Sequence, residues 1–138
     1  MLAIQAVRAG GPEVLEAVDL PVPTAGPGEI LIRQEAIGLN FIDTYQRTGL
    51  YPVKMPAVLG LEGAGIVEAV GQGVTRFAVG DRAAFGNGPL GAYAEFHVVS
   101  ADRAVKIPMG VSSRDAAAAM LKGMTAEFLL RRDRKSVV

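Results

Sequence analysis

The chain has 138 residues, half of them apolar, with 14 basic side chains against 14 acidic ones and no cysteine. Such a length fits one domain with a hydrophobic core of its own. The even charge gives no electrostatic reason to expect nucleic acid or an anionic membrane as partner, and the lack of cysteine excludes disulfides, thiolate chemistry and Cys-ligated zinc. The opening residues 1–8 are too short and mixed for a signal-peptide core, and the longest apolar run, 116–121, falls far below the ~20 residues that span a bilayer. The expected compartment is the cytoplasm.

The 17 glycines and 8 prolines favour many short strands joined by turns. Residues 2–9 read as a first strand, stopped by Gly10-Gly11-Pro12, and residues 14–20 as a second, stopped by Pro21 and Pro23. A turn cluster at 24–28 leads into a longer strand over 29–39, with Ile30 and Ile32 on one face and Leu31 and Arg33 on the other. Phe41, Thr44 and Tyr45 fall at helical spacing, so a short helix is expected near 41–47, ended by Gly49. Residues 66–70 look like a strand, preceded by glycines that suggest bends or close backbone approach. Further strands are expected at 82–85, 92–99 and 105–107, with the glycine-rich 86–91 as a loop. At Ser112 the character changes. Ser112 and Asp115 resemble a capping box, and a helix near 113–131 follows with Met120, Leu121, Met124 and Phe128 on one stripe. The fold class is mainly β (α+β).

Several chemistries lose support at once. Gly86-Asn87-Gly88-Pro89-Leu90-Gly91 matches the letters of a dinucleotide loop. Pro89 interrupts it, a strand rather than a helix follows, and no acidic residue stands about 20 positions on to meet a ribose. A glycine-rich hairpin is the plainer reading. His97 is the single histidine and lies mid-strand without a second ligand nearby, which favours a structural or surface role over metal binding. No nucleophile elbow or P-loop is present.

What remains is a set of ordered motifs: Gly38-Leu39-Asn40-Phe41-Ile42-Asp43-Thr44-Tyr45, then Gly49-Leu50-Tyr51-Pro52, then residues 56–67 around Gly60-Leu61-Glu62-Gly63, then Gly80-Asp81-Arg82 and Leu121-Lys122-Gly123-Met124-Thr125-Ala126. Together they closely resemble the medium-chain dehydrogenase/reductase superfamily, and within it the NADPH:quinone oxidoreductase (zeta-crystallin-like) branch. The resemblance runs from about residue 1 to Arg132. It implies a GroES-like, partly open β-barrel over residues 1–111, a helix over 112–131 that leads toward a Rossmann domain, and an active site in the cleft between the two. Zinc enzymes of that superfamily use Cys and His at positions where this chain has Asn40, Leu61 and, more approximately, Lys122, so no metal is expected. The implied reaction is hydride transfer from NADPH to a quinone or enone, with the nicotinamide supplying the hard chemistry. By resemblance, Asn40, Lys122 and Thr125 are the cofactor-binding residues and Tyr45 and Tyr51 the catalytic ones, a tyrosine hydroxyl meeting the carbonyl oxygen as charge develops on it. The full-length family enzyme is expected to be a homodimer.

Plainer roles stand beside these. Tyr45 also suits packing on the helix, Asn40 suits a helix N-cap, and Lys122 and Thr125 suit exposed helix positions. Glu62, among glycines, reads as an exposed carboxylate, although the family resemblance implies a polar contact there, and Asp81 reads as a turn residue. The family continues past this point into a strand and a phosphate-binding loop, whereas residues 132–138 form an atypical tail. That reads as truncation, with the whole active only beside its other half. An enoyl or alkenal reductase with the same zinc-free cleft and a non-enzymatic truncated remnant are the alternatives. A domain built to pack against a partner should also expose an apolar patch along the cleft and the last helix.

Overall fold

The structure is a computed structural model and describes residues 1–131, so the tail expected at 132–138 lies outside the described residues. Eight strands and two α-helices alternate with short turns: β1 (Leu2–Ala6), β2 (Leu15–Asp19), β3 (Glu29–Gly38), α1 (Phe41–Thr48), β4 (Ala57–Val58), β5 (Glu62–Val70), β6 (Arg82–Phe85), β7 (Phe96–Ser100), β8 (Ala104–Lys106) and α2 (Ser113–Arg131). A small sheet runs β2-β1-β4. A larger one runs β7-β3-β5-β6-β8 and curls into a half-barrel, in keeping with the partly open GroES-like barrel.

The alternation in β3 places its side chains as expected on one face. Ile30 and Ile32 are fully buried and pack with Val67, Phe85, Val99 and the smaller residues around them. Leu31, on the other face, is also 6% exposed, so the sheet is covered on both sides here. The β3–β5 ladder is irregular between Leu31 and Ile32 and again between Gln34 and Ala36. Such bulges bend a strand and sharpen its twist, which curls the sheet.

β1 ends at Ala6 where the pattern ran to Ala9, β4 was not among the expected strands, and two further boundaries depart from the sequence pattern. β5 starts at Glu62, four residues earlier than the β-branched run suggested, because its glycines continue the ladder instead of ending it. A Cβ at Gly65 would collide with the carbonyl oxygen of Arg33, so the two strands approach more closely than any side chain allows. β7 is shorter than the expected 92–99. Residues 92–95 are held otherwise: the Gln34 side-chain amide donates to the carbonyls of Ala92 (2.6 Å) and Ala94 (2.8 Å), and Ala94 forms a lone bridge with Ala3.

α2 starts as its sequence implied. The Ser112 hydroxyl accepts from the Asp115 N–H at 3.0 Å and donates to the Asp115 carboxylate at 2.6 Å. The helix packs across β3, β5 and β6 by its first half, where Ser113 and Ala117 are buried. The stripe of Met124 and Phe128 points elsewhere. These two are 41% and 55% exposed, and with Leu129 and Leu130 they leave the second half bare of cover. Met120 and Leu121 are half-buried at the changeover.

Candidate active site

The site begins where β3 hands over to α1. Asn40 stands at the N-cap with extended backbone (φ −130°, ψ 154°), and Gly49 closes the helix in the left-handed region at φ 83°. Three residues into the turn the Asp43 carboxylate accepts the Asn40 backbone N–H at 2.9 Å, one arm of a capping box. The other end of α1 is tied to the first loop, since the N–H of Gly10 donates to the Arg47 carbonyl at 3.0 Å.

The Asn40 side chain turns inward. Its Nδ2 donates to Glu62 Oε2 at 2.8 Å. The same oxygen accepts from Lys122 Nζ at 2.8 Å, and Glu62 Oε1 accepts the backbone N–H of Leu121 at 2.7 Å. Glu62 is therefore not the exposed carboxylate its glycine neighbours suggested. It is 0% exposed, whereas the Lys122 side chain that pairs with it is 51% exposed. A carboxylate buried to that degree is tolerated only when donors satisfy its oxygens and a cation balances its charge. All three donors come from segments that flank β5, so this one carboxylate joins the α1 N-terminus to the middle of α2. Gly38 makes room for it: a Cβ there would land on Glu62 Oε2 and lie 2.5 Å from the Ala117 carbonyl oxygen.

The two tyrosines form a second group. Tyr45 and Tyr51 meet edge to face with ring centroids 5.5 Å apart, and the Tyr51 N–H donates to the Tyr45 carbonyl at 3.1 Å. Both are open to solvent, at 38% and 51%, as is Phe41 at 80%. The Tyr45 ring packs against Phe41 and Tyr51 while its surface remains available, so packing and availability coexist. Phe41, which packs on Tyr45, shares a groove with Asn40. A small groove of about 150 Å³ is lined by Leu39, Asn40, Phe41 and Thr44, and a larger one of about 410 Å³ by Leu39, Lys122, Arg114 and Glu35 among others. Thr125 stands one turn beyond Leu121, its hydroxyl donating back to the Leu121 carbonyl at 3.0 Å, and lines a third groove with Asn87 and Phe128. Asn40 and Lys122 are thus joined through Glu62, Tyr45 joins Tyr51, and Thr125 lies along α2 from them. Leu39, Leu50, Leu129 and Leu130 are each at least half exposed.

Three contributors were not singled out from sequence as site residues: Glu62, Asp43 and Tyr93. Asp43 is 2% exposed, and its Oδ2 accepts the Tyr93 hydroxyl at 2.8 Å as well as the Asn40 N–H. Burial and the neighbouring Asp43 carboxylate both push the Tyr93 phenol far above its ordinary range, so it remains a donor. The signal for Asp43 was its place three residues after an N-cap asparagine. Tyr93 lies 50 residues away and carried none.

The remaining candidates fall as their plainer readings had them. Asp81 is a turn residue: Oδ2 accepts the Ala78 N–H at 2.8 Å and pairs with Lys106 at 2.7 Å. His97 is 7% exposed and bonds the Pro89 carbonyl at 3.1 Å, and burial holds its imidazole below the ordinary range. The Gly86–Gly91 loop leads into β7 and not into a helix. Among the described residues no three His, Cys, Asp or Glu side chains gather as metal ligands would, and no helix is long and apolar enough to cross a membrane.

Comparison with known proteins places this geometry. The model of the alcohol dehydrogenase GroES-like domain matches residues 26–109. A quinone oxidoreductase of Pseudomonas aeruginosa is 57% identical over 129 residues, which cover 93% of this chain and 40% of the relative. A 2-haloacrylate reductase of a Burkholderia species is 41% identical over 134 residues, 93% of this chain and 40% of its own length. The crystal structure of the Escherichia coli quinone oxidoreductase complexed with NADPH superposes with a TM-score of 0.94 at 45% identity, over 96% of this chain and 41% of that one. The chain spans about two fifths of the length of these relatives.

Proposed function

The chain belongs to the alcohol dehydrogenase GroES-like domain family, and from that premise we propose that it supplies the catalytic-domain share of an NADPH-dependent reductase of quinones. The observation that carries the reading is the convergence of Asn40 and the half-exposed Lys122 on buried Glu62, with two solvent-open tyrosines, Tyr45 and Tyr51, on and just after α1. The arrangement fits the reacting end of a nicotinamide cofactor. Asn40, Lys122 and Thr125 would hold that end, and NADPH, when bound, supplies the hydride. The chain's own work is orientation and charge. A Tyr45 or Tyr51 hydroxyl donates to the acceptor's carbonyl oxygen, where negative charge grows as the carbonyl is reduced. Lys122 is paired with Glu62 at 2.8 Å while half its side chain stays open to solvent, so its remaining ammonium hydrogens can meet a ligand as a positioned donor. No metal enters the proposal, and it is supported by the occupation of Asn40 and Lys122 with Glu62. A cytoplasmic location, supported by the cysteine-free composition, belongs to the same proposal.

A second acceptor class has support of its own. One relative is a 2-haloacrylate reductase, so an activated alkene such as an enone would suit the same wall. The test uses the ¹⁵N-labelled 138-residue chain. Added NADPH should shift the signals of Asn40, Lys122 and Thr125 without saturating at sub-millimolar concentration, and benzoquinone should shift Tyr45 and Tyr51. A parallel titration with an enone separates the two acceptor classes. Shifts confined to other surfaces would overturn the proposal. Tight, saturable NADPH binding would overturn the half-site reading, and quinone-dependent NADPH oxidation by this chain would then be measured directly.

A further inference from the structure

The turn between β3 and α1 decides where the Asn40 side chain points, and two buried groups fix that turn. Asp43 Oδ2 takes the Asn40 N–H at 2.9 Å and the Tyr93 hydroxyl at 2.8 Å, both on one oxygen. Tyr93 is itself held on three sides. Its N–H donates to the Leu59 carbonyl at 2.8 Å, its carbonyl accepts the Ile4 N–H at 2.8 Å, and its ring lies flat against Gly60, where a Cβ would come within 2.5 Å of Cδ1. The result is a continuous line of hydrogen bonds, Tyr93–Asp43–Asn40–Glu62–Lys122, that passes through the Asn40 backbone N–H and side-chain amide and runs from beside the small sheet to α2.

Asp43 is too deeply buried to meet a ligand, and the Tyr93 hydroxyl is turned onto it. Asp43 therefore cannot touch reacting atoms, and the Tyr93 hydroxyl donates its hydrogen to that carboxylate. We infer that Asp43 and Tyr93 are positioning residues, which hold the Asn40 backbone so that its side-chain amide, and through Glu62 the Lys122 ammonium, keep one orientation toward the groove. The inference rests on the proposed function, in which Asn40 and Lys122 meet the cofactor. A carboxylate in the first turn also suits the positive end of α1. That helix effect needs only the charge and would survive loss of the tyrosine hydroxyl. Positioning needs the hydroxyl too.

The test reads the Asn40 side-chain amide in the ¹⁵N-labelled chain, without any ligand. In Tyr93→Phe the exchange of the Asn40 Nδ2 hydrogens with water should rise about tenfold, the scale of losing one charge-assisted hydrogen bond. Their shift should move toward that of a free asparagine, while the backbone signals of Ile32 and Val67 stay in place. A purely structural role predicts the reverse: a lower melting temperature with the Asn40 side-chain signal unmoved, and that result overturns the inference. Asp43→Asn keeps the shape and one acceptor, and should loosen Asn40 less than Asp43→Ala does. Should Tyr93→Phe fail to fold, Asp43→Asn is read in the same way, and failure of both to fold makes the pair a folding requirement and overturns the inference. Titration with NADPH separates this idea from the functional reading. If Asn40 loosens in the variant but NADPH never shifts it in the parent, the positioning stands and the functional reading falls. If NADPH shifts Asn40 equally in parent and variant, and the ligand-free amide is unchanged, the positioning falls and the functional reading stands.

Discussion

Replacing Glu62 by glutamine tests the centre of the site with the smallest change of shape. Glu62 Oε2 accepts from both Asn40 Nδ2 and Lys122 Nζ, and Oε1 from the Leu121 N–H. In Glu62→Gln one oxygen becomes an NH₂ group. If the remaining oxygen keeps Leu121, the new donor faces two donors; if it flips, the helix N–H loses its acceptor. Charge-assisted hydrogen bonds contribute about 1.5–3 kcal/mol each, so a loss of about 3 kcal/mol is expected after partial relaxation. Removing the cation by Lys122→Met should cost less. It leaves the fully buried Glu62 carboxylate without its counter-charge, and the full penalty for breaking a buried pair, about 3–5 kcal/mol, is lowered because water reaches the side of a lysine that is 51% exposed. The carboxylate also keeps two donors, so about 2 kcal/mol is the expected cost, below that of Glu62→Gln. Urea unfolding of the chain resolves the difference, since about 3 kcal/mol moves the midpoint by more than about 1 M at an m-value near 2 kcal/mol/M. The reasoning fails if Glu62→Gln is as stable as the parent, or if Lys122→Met proves the more damaging.

Other outcomes follow from single contacts. Gly38→Ala should lose at least about 2 kcal/mol in the same unfolding assay, because the added methyl meets Glu62 and the Ala117 backbone at once. Gly123→Ala should instead gain about 0.5–1 kcal/mol, since Gly123 lies inside α2 with open space around it. Leu130→Ser, at a position 71% exposed, should change stability by less than about 0.5 kcal/mol, while lowering self-association in sedimentation. His97 should titrate below 6.5 by NMR, its charged form being disfavoured by burial. The unfolded chain then takes up the proton first as pH falls. Its stabilising share is complete above pH 6.5 and is lost as pH drops toward the folded-state value, a loss that His97→Gln should abolish.

The fold was legible where one local rule decided it. Alternation marked β3, helical spacing with a terminal glycine marked α1, and Ser112 with Asp115 marked the start of α2. Legibility ended where a distant side chain overruled the local pattern, as Gln34 does in cutting β7 short from about 60 residues away. Asn40 and Lys122 could be named from the family resemblance, and the structure joins them. Their shared partner could not be named. Glu62 lies among small residues that favour exposure in a turn, and only α2, arriving from 59 residues on, covers it and supplies Leu121 and Lys122. Tyr93 escaped for the same reason: a hydroxyl finds a carboxylate across 50 residues without leaving any periodic trace.

The clamp on α2 gives the helix the mechanics of a lever. Its fulcrum is the pair of bonds that Glu62 makes to Leu121 and Lys122, and the arm from Lys122 to Arg131 is about 13 Å long at 1.5 Å per residue. A tilt of about 10° at the fulcrum carries the tip through about 2 Å. Gly123, the most compliant residue of the helix interior, sits directly beside that fulcrum. Any small rocking about Leu121 and Lys122 therefore moves the bare apolar end of α2 further than any other part of that arm.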